Sequence, residues 1–464
     1  MENSRRNFLA SISMLAAYSA FPISSFNFGT SKKLRIALVG TGIRGTSFWG
    51  KRLVDEYSDI LEFVGLCDIN PGRLEFAKKF IGTNCVTFVD FDAMLKKTKP
   101  DLIIVTTVDS THHEFIIKGL ESGFDVLTEK PLTTDETKAQ AIINAERQSG
   151  KNLIVGFNYR WSPYSTKIKE LLANNTIGKI TSIDFNWYLN TYHGASYFRR
   201  WHGLKDKGGS LWVHKSTHHF DLLNWWLDSD PEEVFAYGSL EHYGANGPFR
   251  GTNCRTCKHK TNCDYFWDIT KDKRMMDLYA ANEKHDDYIR DNCLFREEID
   301  IYDKMSAQIK YANNVTVNYS LTTYSPFEGW RIAFNGTEGR IEASLDIPYN
   351  KKTDVTQAEM HAKEMEQNAM EEAEAETIIV HKLWKDYNTV LVPFERGGHG
   401  GGDKRLHDKI FKTQNEKDPY ERAAGSRDGV MSAIIGIAAR KSIESGTPIK
   451  IASLTDIKPS ANRT

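Results

Sequence analysis

Neither sign of charge predominates in this chain: 60 lysines and arginines stand against 61 aspartates and glutamates, a net charge of -1 over 464 residues. A protein that grips a phosphate backbone needs a basic excess, so nucleic acid is excluded as the main partner. Long apolar runs are missing as well. Beyond the first few dozen positions none approaches the ~20 apolar residues that span a bilayer, which excludes a polytopic membrane protein. Cysteine is scarce, six in all, and none precedes Cys67, so an N-terminal lipoprotein anchor has no thiol to carry it. What is there, 40% hydrophobic and 26% charged residues, is the composition of a globular protein with a sizeable core.

Residues 1–30 read as an address. Ser4-Arg5-Arg6-Asn7-Phe8-Leu9 precedes a small-residue apolar stretch from Leu9 to Phe21. Charged-then-apolar order marks an export signal, and paired arginines mark the twin-arginine route, with the periplasm as destination. Ala17-Tyr18-Ser19 only approximates the small-x-small cleavage rule, so removal and retention as an anchor both stay open. The competing reading is an amphipathic helix that opens a domain.

From residue 31 to 155 the pattern is that of a nucleotide-binding domain. Lys32 to Val39 reads as a buried strand, and Gly40-Thr41-Gly42-Ile43-Arg44-Gly45 follows at once, opening a helix. The first glycine permits a tight turn, the second lets backbone approach a diphosphate, and the third lets helix pack on strand. A second strand, Leu61 to Cys67, ends in Asp68, where a carboxylate can accept from ribose hydroxyls; the interval is somewhat beyond the usual ~20 residues. That acid repels a 2′-phosphate and favours NAD, while Arg73 keeps NADP open. Strands Asp101 to Val105 and Phe124 to Leu127, with a helix Glu114 to Gly119 between them, predict a doubly wound parallel sheet whose ligands sit at the strands' carboxyl ends. Those ends carry Thr106-Thr107 and Glu129-Lys130-Pro131. A lysine held over a dry pocket can exchange a proton with a substrate hydroxyl, which makes Lys130 the first sign of chemistry.

At this point the chain resembles the Gfo/Idh/MocA oxidoreductases. The matching pieces are the glycine turn, Thr107 through His112, Glu129-Lys130-Pro131-Leu132, Gly156-Phe157-Asn158-Tyr159-Arg160, and the block Gly208-Gly209 through Asp221. The resemblance implies an N-terminal Rossmann domain and an α+β C-terminal domain, 156–460, built on an open, mainly antiparallel sheet. It implies cofactor contacts from Gly40, Gly42, Ile43, Arg44, Gly45, Asp68, Arg73, Thr106, His112, Glu129, Lys130 and Asn158, and a substrate contact from Arg160. His218 takes the place of the family's catalytic histidine and Asp221 that of its final acid. His214 stands where the family carries Asp, and Val108 where it usually carries Pro. A spacing of four puts His214 and His218 on one helix face, where they share a substrate or, alternatively, a metal ion. Lys215 and His219 read as structural.

In the second domain, Ile180 to Leu189, Val234 to Leu240, Ala307 to Tyr311, Thr316 to Thr322 and Arg331 to Asn335 alternate as strands do. One face of such a sheet walls a substrate cleft; the other suits a homo-oligomer contact. The loop from Asn190 through His202 mixes aromatic and hydrogen-bonding groups suited to a sugar, with His193, Arg199 and Trp201 as candidate substrate residues. Arg396-Gly397-Gly398-His399-Gly400-Gly401-Gly402-Asp403 reads as a close-approach loop over the cleft, with His399 and Asp403 as further contacts. Residues 351–377 read as an exposed Glu-rich helical insertion.

A second insertion, 244–300, holds Cys254, Cys257, Cys263 and Cys293. Short ligand pairs closed by a distant cysteine suit a structural zinc ion. Two disulfides are the alternative for an exported chain. An iron–sulfur cluster or no site at all completes the range; Cys67 and Cys85 read as lone buried thiols.

The resemblance implies hydride transfer between a carbohydrate secondary alcohol and a nicotinamide, with His218 as base and Lys130 polarising the oxygen. An exported enzyme meets little free NAD, so the expectation is a tightly held nucleotide recycled in place. Two further readings stand beside it: glycoside hydrolysis through transient C3 oxidation and elimination, and a non-catalytic carbohydrate-binding protein. No carboxylate pair at recognisable spacing points to an ordinary glycosidase.

Overall fold

The computed structural model describes residues 33–348, 375–395 and 397–463. Residues 1–30, read above as an export signal, lie outside the described residues, as does most of the Glu-rich insertion; its last residues, Ala375 to Thr377, begin a strand rather than continue a helix.

The first domain is a six-stranded parallel sheet of β1 (Leu34–Val39), β2 (Leu61–Cys67), β3 (Val86–Phe88), β4 (Leu102–Val105), β5 (Asp125–Thr128) and β6 (Leu153–Val155), in the order β3-β2-β1-β4-β5-β6. β4, Leu-Ile-Ile-Val, is buried at every position because helices cover both faces. Strand order reverses between β1 and β4, which opens a crevice beyond their carboxyl ends, where the glycine turn and Thr106 lie. Helix α1 (Pro71–Ile81) starts on a proline, is capped by the Asn70 side chain accepting from the Arg73 N–H at 3.0 Å, and stops at Gly82 in the left-handed region.

The second domain is a nine-stranded sheet. Its strands are β7 (Ile180–Asn190), β8 (Pro231–Ser239), β9 (Lys304–Tyr311), β10 (Thr316–Ser325), β11 (Phe327–Gly336), β12 (Gly339–Pro348), β13 (Ala375–Lys382), β14 (Tyr387–Pro393) and β15 (Ile449–Lys450). The order is β14-β13-β12-β11-β7-β10-β9-β8-β15, antiparallel throughout except for the β7/β10 pair. β9 alternates exposed and buried residues strictly, so one face of the sheet is open and the other packed. Against the packed face lies α2 (Ser216–Leu227), buried along its whole length, with Tyr311 donating to Asn224 and His219 bonded to Tyr319. The insertion contributes a short helix, α3 (Lys273–Leu278); α4 (Gly402–Phe411) and the long α5 (Ser426–Ser445) complete the packing.

Two local expectations change. The segment after Asn190 is a helix, Thr191–Arg199, capped by the Asn190 side chain, which accepts from the N–H groups of Tyr192 and His193. Gly194 is obligatory there, because a Cβ would sit 1.7 Å from the Thr323 carbonyl oxygen. His214 and His218 do not share one continuous helix: a short turn Leu211–His214 ends at Lys215, and α2 starts afresh at Ser216.

Candidate active site

The glycine turn has the shape a diphosphate needs. Gly40 is left-handed at φ 90°, and a Cβ on it would lie 2.5 Å from the Thr106 backbone; one on Gly45 would lie 2.2 Å from the Gly40 carbonyl oxygen. The Thr106 hydroxyl braces the same turn by donating to the Gly40 carbonyl at 2.5 Å. Asp68 sits at the end of β2 as expected and is turned inward. It accepts from the Thr41 N–H at 2.7 Å, the Thr41 hydroxyl at 3.0 Å, the Asn70 N–H at 2.9 Å and Arg73 at 3.0 Å. Those four contacts fill the acceptor positions of a carboxylate. Arg73 is held between Asp68 and Asp286.

Glu129 is buried and accepts on one oxygen from Arg44 Nε at 2.6 Å and Trp49 Nε1 at 2.7 Å. Burial works to raise its pKa, but Arg44 and Lys130 outweigh that and hold the carboxyl below its usual range. His112 ties the two neighbouring loops together, Nδ1 to the Pro131 carbonyl at 2.8 Å and Nε2 to the Thr107 carbonyl at 3.2 Å.

Lys130 reaches across to the second domain. Its Nζ donates to the His214 carbonyl at 3.2 Å and lies 3.5 Å from His214 Nε2. His214 Nδ1 meets Asp109 Oδ2 at 2.5 Å. These partners assign the tautomer: Nδ1–H donates to Asp109 and Nε2 faces the ammonium. Burial pushes the Lys130 ammonium down to about 8, against the opposing pull of Asp109 and Glu129. Burial raises Asp109 and lowers His214, the latter helped by the Lys130 charge. Asp109, from the Rossmann domain, thus sets a carboxyl group against a histidine of the second domain.

His218 lies flat on Tyr159, centroids 4.2 Å apart and planes 8° from parallel. Its Nδ1 is buried with no partner among the described residues. Burial, then the charges of Lys130 and Lys215, push its pKa well down, so the ring is neutral. Lys215 donates to the Tyr159 hydroxyl at 3.1 Å and lies over Trp187, which places it in the cleft wall rather than in a remote structural role. His219, as expected, packs away from the cleft, 3.8 Å from Trp187 in a stack. His399 and Asp403 close the other side: the Asn158 amide donates to Asp403 at 2.6 Å, and His399 Nδ1 is 2.8 Å from both Asp403 and Asn158. The Asn158 side-chain amide oxygen, Oδ1, is buried without a partner among the described residues. A glycine cradle, an orphaned amide oxygen and a lysine at the crevice together fit a nicotinamide dinucleotide.

Several expected substrate residues are committed elsewhere. Arg160, 1% exposed, is clamped by Asp221 at 2.5 and 2.7 Å and by Asp428 at 2.8 Å. It is an internal ion network, and Asp221 belongs to it rather than to the cleft. Arg199 donates to the Cys254 sulfur at 2.9 Å and to the Tyr265 carbonyl, anchoring the Cys-rich insertion. His193 spends both nitrogens on Glu328, at 2.9 Å, and Tyr197, at 3.0 Å. Burial pushes Glu328 up to about 7, with Lys215 opposing. Trp201 stacks on His202 at 3.5 Å and turns an edge to His214 at 5.8 Å, close to the chemistry.

The zinc expectation is not met. All six cysteines are free thiols, and among the described residues no group of three or more His, Cys, Asp or Glu side chains is placed to hold a metal ion. Cys254 instead accepts a hydrogen bond from Arg199 at 2.9 Å. The same finding removes the metal alternative for His214 and His218, whose rings turn to different partners.

Comparison with known proteins agrees with this geometry. Residues 34–157 match the profile of the Gfo/Idh/MocA "Oxidoreductase family, NAD-binding Rossmann fold", and residues 169–451 match its "C-terminal alpha/beta domain". The chain belongs to the Gfo/Idh/MocA oxidoreductase family. It is an NAD-binding oxidoreductase of Rossmann plus open-sheet architecture. YteT of Bacillus subtilis (strain 168) is 37% identical over 436 residues, 90% of this chain and 98% of that protein. An inositol 2-dehydrogenase/D-chiro-inositol 3-dehydrogenase of Lactiplantibacillus plantarum is 24% identical over 197 residues, 42% of this chain and 53% of that relative. Levoglucosan dehydrogenase, solved with NADH and levoglucosan, shares the fold at a TM-score of 0.63 with 16% identity, across 90% of this chain and all of that one.

The sequence pattern does not single out Asp109, Tyr159 or Lys215 as site residues. Asp109 lies within the stretch Thr107 to His112, but nothing local says that its carboxylate meets a histidine of the other domain.

Proposed function

We propose that this Gfo/Idh/MocA member oxidises a secondary alcohol of a carbohydrate or glycoside with NAD held in the crevice, at the position where Lys130 bridges the two domains. The single observation behind this reading is the Lys130–His214–Asp109 chain of contacts next to the neutral ring of His218. When bound, the nicotinamide accepts the hydride that leaves the carbinol carbon. His218 takes the hydroxyl proton, since burial keeps it neutral and able to accept. Lys130 donates to the same oxygen and stabilises the alkoxide character that develops there. His214, fixed through Nδ1 by Asp109, orients the ammonium through its Nε2 and its carbonyl oxygen. The junction of the domains is where cofactor and alcohol would have to meet within the roughly 3–3.5 Å that transfer requires.

The carbohydrate assignment draws on the half-buried aromatic rings of Tyr159 and Trp201 beside polar groups of Lys215, His399 and Asp403, and on the inositol and levoglucosan named for two of the proteins above. NAD is favoured over NADP because Arg73 is already neutralised by two carboxylates. An exported location and a homo-oligomer through the open sheet face, where Tyr237 is 68% exposed, belong to the same proposal.

The test is substitution at the two groups that meet the alcohol oxygen. Lys130→Met and His218→Ala are each expected to lower kcat/KM on the order of 10²- to 10⁴-fold while the protein still binds NADH. Undiminished turnover in both variants overturns the assignment.

A further inference from the structure

The Cys-rich insertion does not hang free of the nucleotide site. It has a small core of its own, Cys254, Trp267, Ile269, Met275, Leu278 and Tyr279, and Ile43 from the glycine turn and Phe76 from α1 pack onto that core. The Tyr279 hydroxyl accepts the Ile43 N–H at 2.8 Å and stands 3.4 Å from where a Cβ of Gly42 would lie. Around it, residues 274–290 hold the domain at three more points. Arg274 donates to the Ser47 hydroxyl. The Asn70 amide donates to the Asn282 carbonyl at 2.9 Å, and Asp286 pairs with Arg73 at 2.5 Å. Over the Tyr279 ring, 5.5 Å from its centroid, lies the guanidinium of Arg290. Arg290 forms no ion pair with a described carboxylate, and its Nε is buried without a hydrogen-bond partner among the described residues.

A tight glycine turn offers its backbone N–H groups to a dinucleotide's diphosphate. Here one of those donors shares its place with a phenol whose own hydrogen is left to donate, and a guanidinium lacking a counter-charge lies beside that phenol. We infer that Tyr279 and Arg290 are diphosphate-binding residues contributed by the insertion, and that residues 274–290 form a cap that must lift before the nucleotide leaves. A site closed from both sides retains its nucleotide between turnovers, as a recycled cofactor requires. The inference rests on the NAD reading given above and adds the residues that hold NAD in place.

The experiment uses the full chain. Wild type, Tyr279→Phe and Arg290→Gln are loaded with NADH, and release is followed by loss of bound-nicotinamide fluorescence on adding excess NAD+; unfolding midpoints without nucleotide are measured alongside. Each substitution removes a hydrogen bond to a charged group, so release about tenfold faster is expected, with the Arg290→Gln midpoint unchanged and the Tyr279→Phe midpoint lowered only by the loss of its Ile43 N–H contact. Release at the wild-type rate in both variants overturns the cap. Slower release from Tyr279→Phe also overturns it, because the phenol then competes with the nucleotide. So does an Arg290→Gln effect confined to carbohydrate KM, which would assign the guanidinium to an anionic substrate. A wild type that binds no NADH instead sinks the underlying NAD reading, and the cap with it.

Discussion

At the scale of single residues, the departure at position 214 is resolved by a partner that no local pattern shows. Imidazole lacks the fixed negative charge of the acid that the family carries there. Asp109, from the loop after β4, places a carboxyl group 2.5 Å from His214 Nδ1. It acts through His214, so Asp109→Asn is expected to leave NADH binding intact and lower kcat by about tenfold, the loss of a charge-assisted hydrogen bond. A purely structural role would lower the unfolding midpoint and spare kcat. The pH profile of Lys130 belongs to the same scale. Burial sets its ammonium at about 8, and the protonated form is the one that donates to the alcohol oxygen. Turnover therefore falls as pH rises through about 8. The residual activity of Lys130→Met should lack that alkaline limb, and a limb that persists in the variant assigns it to another group.

At the scale of elements, what the sequence discloses depends on whether a feature is local. Strands β1, β2, β4, β5 and β7 to β11, the glycine turn and the Glu129-Lys130 corner were legible because periodicity, turn chemistry and motif order all lie within a few residues, whereas the short β3, β6 and β15 and the strands β12 to β14 were not. Arg160 was misread because its motif lies near the cleft, whereas its charge is answered by Asp221 on α2 and Asp428 on α5, far away in sequence. His214 and His218 were placed on one helix face because spacing alone does not show that Lys215 interrupts the helix. The Arg160 network makes a separable prediction. It joins the turn after β6 to two helices, and removing the cation leaves the buried Asp221 without its partner, a carboxyl already raised to about 6 by burial against the pull of Arg160, while Asp428 keeps Arg463 at 2.9 Å. Arg160→Met is expected to cost roughly 3–5 kcal/mol of stability in denaturant titration, with carbohydrate KM unchanged for the folded fraction. A KM effect without loss of stability would return Arg160 to the substrate site.

At the scale of the whole molecule, the features argued separately bear on one question, whether the nucleotide turns over or stays. An insertion packed on the glycine turn favours a cofactor carried inside the folded chain, which is what the proposed export of the chain would require. A retained NAD that is reduced once cannot support continued net oxidation by itself. Sustained turnover without added NAD then requires the same site to return the hydride, either to a second carbohydrate or to the oxidised intermediate of a glycoside after its aglycone has left. Purified chain mixed with a panel of glycosides and no added nucleotide distinguishes these outcomes. One burst of reduced-nicotinamide absorbance, equal to the bound nucleotide, is expected for simple oxidation of a carbohydrate. Continuous aglycone release with the absorbance returning to baseline would replace that reading with the redox-neutral cycle. In either case Tyr279→Phe should make the reaction depend on added NAD, because a nucleotide that leaves between turnovers has to be replaced from solution.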